Sequence, residues 1–181
     1  MKSYLRYRMS HDLNEIAEVP ILSPPFSWVP WHENWIVPLS DIMMKSFADT
    51  IDAKIFPNFI TRSGCQKIIT YLLERKQIIQ QSTWLIFHRQ EGCAFIQSVL
   101  ENQTGMIQNL GVTPNFRRNG LAKAMLLRSL WVFRIMNLAR AELEVSAENS
   151  AALDLYERLG FQITGTTFRT PVKDDSLLCQ N

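Results

Sequence analysis

Residues 107–122 read IQNLGVTPNFRRNGLA: an apolar strand, a proline turn, two adjacent arginines and a glycine that opens an apolar helix. Helix N-termini leave backbone N–H groups unpaired and carry the positive end of the peptide dipoles, so an anion placed there meets donors and favourable charge together. Gly120 and the small Ala122 remove side-chain bulk, and Arg117 and Arg118 supply charge with phosphate-matching geometry. The segment therefore predicts a pyrophosphate site. A P-loop is excluded, because Leu121 rather than Lys follows Gly120. A dinucleotide fingerprint is excluded too, because Gly120 is the lone glycine of this turn.

A second segment lies downstream. Residues 143–161 read LEVSAENSAALDLYERLGF: a strand, Asn149, a short helix carrying Tyr156, then Gly160-Phe161. The pattern Arg117-x-x-Gly120-x-Ala122 behind Val112-x-Pro114 resembles the acyl-CoA pyrophosphate loop of the GNAT superfamily of N-acyltransferases. The second segment resembles the strand–Asn–Tyr-helix that follows in the same family, in the same order. The resemblance covers roughly residues 80–170 well and the earlier chain loosely.

The resemblance implies a mixed, mostly antiparallel α/β sheet with helices on both faces and two splayed strands, here residues 106–112 and 141–146. It implies acetyl-CoA as co-substrate, bound by Leu110, Gly111 and Val112 along its pantetheine arm. Arg117, Arg118, Asn119, Gly120, Leu121, Ala122 and Lys123 would take the pyrophosphate end, and Asn149 the arm. Tyr156 would be the catalytic acid that protonates the departing thiolate. From periodicity alone Tyr156 reads as a core tyrosine packing its helix on the sheet, and Asn149 as a helix cap. No metal is implied. No general base is assigned: Glu144 alternates with Leu143 and Val145, while His88, His32 and Glu33 carry no motif.

The implied activity is N-acetylation of a primary amine by direct attack in a ternary complex, on a small molecule or a protein N-terminus. The rival reading is a non-catalytic acyl-CoA-binding module, whose coenzyme motif would be the same. Cys65 and Cys93 stand in no nucleophile setting, which agrees with direct transfer.

Composition bounds the rest. The 181 residues fit one domain, 1–181, with an apolar fraction of 46 % and a net charge of +2 that argues against nucleic acid as a partner. Three cysteines without metal-like spacing, and no apolar leader or membrane-length run, point to a reducing cytoplasm and no membrane.

Along the chain, the density of Pro and Trp before residue 38 predicts an irregular extension over residues 1–35. Trp28, Trp31 and Trp35 admit two readings: anchors on the body, or an aromatic acceptor pocket. Residues 21–38 are expected to pack on the body and border the acceptor side, with residues 1–20 dispensable for coenzyme binding. Helices are expected over 40–47, 64–80, 120–138 and 150–159, and three strands joined by polar turns from residue 83 to 112. Residues 161–168 and 171–178 predict a final strand pair. Leu127 and Leu130 fall near the polar stripe of the 120–138 helix, a pattern expecting cover by the extension or by a second copy in a homodimer.

Overall fold

The alternation from residue 83 onward becomes an antiparallel meander of three strands, numbered third to fifth in chain order: β3 (Trp84–His88), β4 (Glu91–Glu101) and β5 (Thr104–Val112). The computed structural model describes residues 2–171. Asn102 and Gln103, both at positive φ, make the two-residue turn between β4 and β5, as a tight hairpin requires. β4 is buried along most of its length because helices cover both faces: α1 (Ile36–Phe47) with α3 (Arg62–Glu74) on one side, α4 (Leu121–Ile135) on the other. Leu39, Met43, Ile69 and Phe95 fill the first interface; Met125, Leu126, Phe133 and Ile96 fill the second.

After α4 the chain returns as β6 (Arg140–Ser146), parallel to β5, and α5 (Ser150–Arg158) follows. The two strands pair only through residues 104–107 and 140–143. Beyond Ile107 they part. The register of β5 against β4 skips Gln108, so a bulge stands where the strands separate. The expected mixed sheet, its splayed pair and its helices on both faces are all present.

The N-terminal third corrects the sequence reading. Residues 1–35 are not an irregular extension: β1 (Tyr4–His11) and β2 (Phe26–Pro30) are strands of a seven-stranded sheet in the order β2-β3-β4-β5-β6-β1-β7. β1 is an interior strand, antiparallel to both β6 and β7 (Gln162–Arg169). It fills the place beside residues 162–169 that a strand at 171–178 was expected to take, and that expected strand lies almost wholly outside the described residues. The prolines do obey the usual constraint, since Pro30 ends an edge strand.

Helix bounds also move, most at α1 and α3. α1 begins at Ile36 rather than at 40, because Pro38 lies in the first turn, where its missing N–H costs nothing. α3 stops at Glu74 rather than 80: Lys76 takes a positive φ, and Ile78 then bridges to Val99. Short α2 (Ile51–Ile55) stands between them. Leu127 and Leu130 are buried within the chain itself, so neither needs a second copy to cover it.

Candidate coenzyme and acceptor site

The parting of β5 and β6 opens a cavity of about 900 Å3 that runs from the start of α4 to the strands of the N-terminal half. Gln108 to Val112 line one side and Leu143 to Val145 the other. Ala94, Phe95 and Ile96 of β4 pair with one backbone edge of residues 110–112. The other edge faces the wedge, where an amide-bearing arm can pair with it as a strand would. Gly111 contributes backbone only; a Cβ there would stand 2.5 Å from Phe95 and 2.6 Å from Ser46, so its bareness lets α1 pack on the sheet.

At the far end, Gly120 caps α4 with φ +74, and a Cβ on it would meet nothing within 4 Å. Glycine is thus required by the backbone conformation, and its bare face is open to the cavity. The first intrahelical bond runs from Ala124 N–H to Gly120 C=O, so the N–H groups of Leu121, Ala122 and Lys123 stay unpaired within the helix. All three residues line the cavity, and Leu121 sends its side chain into the core. Asn119 braces the turn by donating to the carbonyls of Phe116 and Arg117 at 3.0 and 3.2 Å.

The two arginines divide their work. Arg117 is tied up by Asp49, with its two terminal nitrogens 2.7 and 2.8 Å from the carboxylate oxygens, and it also donates to the carbonyls of Ser46 and Val112. The guanidinium holds the Asp49 carboxyl below its usual range. Arg117 therefore fastens the loop to the end of α1 rather than offering a free fork to phosphate, a difference from the sequence expectation. Arg118, at φ +63 and exposed, keeps its charge at the cavity rim.

Beside β6, the Asn149 side chain accepts from Ala152 N–H at 3.2 Å and caps α5, as its position predicted, while also lining the cavity. Tyr156 is 9 % exposed and lines the same cavity, packed on Phe161. Burial pushes its phenol well above the usual tyrosine range; the charge of Asp52 adds to this and that of Arg6 opposes it.

Those charges belong to residues the sequence did not single out. Arg6 of β1 is buried, lies over the Phe56 ring, and reaches Asp52 at 3.1 Å and Glu144 at 3.6 Å. Arg8 pairs with the other oxygen of Glu144 at 3.6 Å. Arg6, Arg8, Asp52, Glu144, Phe56 and Arg169 make the end of the cavity opposite the Gly120 loop. The alternating charges of YLRYRMSH were the available signal, but their meaning depends on β1 lying beside β6.

The tryptophans lie elsewhere. Trp31 is buried with Leu39 and Met43, Trp35 packs on Phe87, and Trp28 and Trp84 both lie against the Arg128 guanidinium. They anchor β2 and α1, so the aromatic acceptor pocket is not built from them. His32 caps a short 3-10 turn with Nδ1, and His88 packs between Phe26 and Phe116. Burial pushes the Cys65 and Cys93 thiols up to about 12 and about 11, which leaves them poor nucleophiles.

Comparison with known proteins agrees with this geometry. A model of the acetyltransferase (GNAT) family matches residues 58–161. Mycothiol acetyltransferase of Beutenbergia cavernae is 37 % identical over 81 residues, which are 43 % of this chain and 27 % of that protein. The ribosomal protein bS18 alanine N-acetyltransferase of Escherichia coli is 40 % identical over 68 residues, 38 % of this chain and 45 % of that one. The chain thus spans less than half the length of these curated relatives. A GCN5-related N-acetyltransferase from Sphaerobacter thermophilus superposes with a TM-score of 0.71 at 16 % identity, over 92 % of this chain and 50 % of that one. The PaiA N-acetyltransferase of Thermoplasma acidophilum, solved with coenzyme A, gives 0.64 at 14 % identity over 81 % and 99 %. These likenesses show the fold, and the match over residues 58–161 shows the family: the chain belongs to the acetyltransferase (GNAT) family.

Proposed function

We propose that the protein transfers an acetyl group from acetyl-CoA to a primary amine by direct attack within a ternary complex. The observation that carries this reading is the single cavity with orphan helix N–H groups at one end and the buried Tyr156 beside paired carboxylates at the other. Acetyl-CoA supplies an activated acyl carbon and a thiolate leaving group. The first-turn N–H groups of α4 and Arg118 hold the pyrophosphate, and the free edge of residues 110–112 pairs with the arm's amides.

The amine nitrogen forms its bond to the acyl carbon as the C–S bond breaks. Tyr156 keeps its proton at neutral pH and gives it to the departing sulfur. The proton lost by the amine leaves through water toward Glu144, whose carboxylate lines the cavity and stays oriented by Arg6 and Arg8. No acyl-enzyme is needed, in keeping with two thiols that burial makes unreactive.

The test is release of free thiol from acetyl-CoA against a panel of amines, including amino acids and peptides with different first residues. Amine-dependent release supports the reading. Tight coenzyme binding with no release for any amine leaves a coenzyme-binding module instead.

A further inference from the structure

Buried polar side-chain atoms are almost always hydrogen-bonded, so a cluster that is not demands an explanation. Arg6 Nε, Ser146 Oγ, Thr167 Oγ1 and Arg169 Nε are buried without a hydrogen-bond partner among the described residues. The register places them together. Arg6 stands opposite Ser146 of β6 and Thr167 of β7, and Tyr4, two residues back on β1, stands opposite Arg169. Directly opposed residues share a sheet face, as do residues two apart on a strand. All four therefore lie on one face of β6, β1 and β7, the face that carries Glu144 and Arg8 as well.

Their chemistry is of one kind. Two guanidinium N–H groups and two hydroxyls are donors, with no acidic side chain among them. Asp52 and Glu144 neighbour Arg6, but Arg6 Nε stays 3.6 Å from Glu144, an ion pair beyond hydrogen-bond range. Arg6 and Arg169 line the cavity. Around this end stand three guanidinium groups, Arg6, Arg8 and Arg169, against the two carboxylates of Asp52 and Glu144.

Resting on the transferase reading above, we propose that the acceptor is a small amine carrying its own oxyanion, an amino acid in class, whose carboxylate is received by Arg6 and Arg169, the two orphan donors that line the cavity. Glu144 and Asp52 then receive the amine, next to the Tyr156 phenol. Phe56, Phe59 and Ile68 line the same end, so an apolar side chain fits beside the two charges.

Three probes that share one side chain separate the terms: leucine, leucinamide and the aminophosphonate analogue of leucine. Leucine should give a kcat/KM at least tenfold above leucinamide, as loss of a charge-assisted contact does. A phosphonate that outperforms leucine would assign the same donors to a phosphate-bearing amine. A readout independent of turnover is calorimetric binding of N-acetyl-leucine and its amide to the coenzyme-A-loaded protein. The acid should bind at least tenfold tighter, and Arg169→Gln should erase that preference while leaving coenzyme affinity unchanged. If Arg169→Gln fails to fold, Arg169→Lys keeps the charge but loses the planar fork and should narrow the preference. Equal binding of acid and amide by the wild type overturns this inference alone. Acid-selective binding with no thiol release for any amine overturns the transferase reading and leaves the anion site standing.

Discussion

The two ends of the cavity are assembled from different distances along the chain. The end proposed for the coenzyme is local: the bulge of β5, the Gly120 loop, the start of α4 and the cap of α5 all fall within residues 104–161 and inside the family match at 58–161. The acceptor end is not. Arg6 and Arg8 come from β1, Asp52 from α2 and Arg169 from β7, all outside that match, while Glu144 and Tyr156 come from within it. A phosphate-binding turn needs a backbone shape that a dozen residues can specify. An amine pocket needs side chains from three strands and a helix, which only the assembled sheet brings together.

The largest expected effect comes from separating the two ends. Deleting residues 2–12 removes an interior strand that pairs with both β6 and β7 and buries Met9 completely. Circular dichroism and thermal melting should show loss of the cooperative fold. Survival of a cooperative transition with intact acetyl-CoA binding would show that the coenzyme end stands without β1, the behaviour an appended tail would have.

Next in size is Tyr156→Phe, which keeps the ring against Phe161 and removes the proton. Turnover should fall about a hundredfold, the usual scale for general acid catalysis, with acetyl-CoA affinity unchanged. Wild-type turnover in the mutant would reduce Tyr156 to a packing residue.

Gly120→Val probes the coenzyme end alone. A branched residue at φ +74 is strained by roughly 1–3 kcal/mol, and its side chain would enter the open face of the loop. Acetyl-CoA affinity should fall about tenfold or more while the fold persists, because a Cβ there meets no protein atom. An unchanged affinity in the folded mutant would remove the pyrophosphate from this loop.

How much of this was legible follows the same division. The meander, α4, β6, the Asn149 cap and the Gly120 turn could be read from residues 84–161, because periodicity, turn chemistry and caps act over a few positions. The pairing of Arg117 was not legible: its partner Asp49 lies 68 residues away, a distance no local pattern spans. β1 escaped for the reason that hides interior strands built far from their partners. YLRYRMSH reads as a polar alternation until β6 and β7 flank it and Arg6 is buried between them.

The smallest expected effect sharpens the link between β1 and the rest. His11, at the end of β1, packs on Phe161 and accepts from Leu13 N–H through Nδ1, so it is neutral when folded. Burial lowers its pKa below 6.5, against an opposing pull from Asp12. The unfolded chain then takes up the proton first, so stability is full above pH 6.5 and declines as pH falls through 6.5 toward the lowered value. His11→Gln should flatten the melting temperature between pH 7.5 and 5.5; an unchanged slope would place the titrating group elsewhere.

Hydrogen exchange with and without acetyl-CoA tests the central claim most directly, since it reads the wedge residue by residue. The expected result is slowed exchange at residues 108–112 and 118–124 on adding the coenzyme, with β2 and β3 unchanged. Acetyl-CoA that binds without protecting either segment would contradict the account.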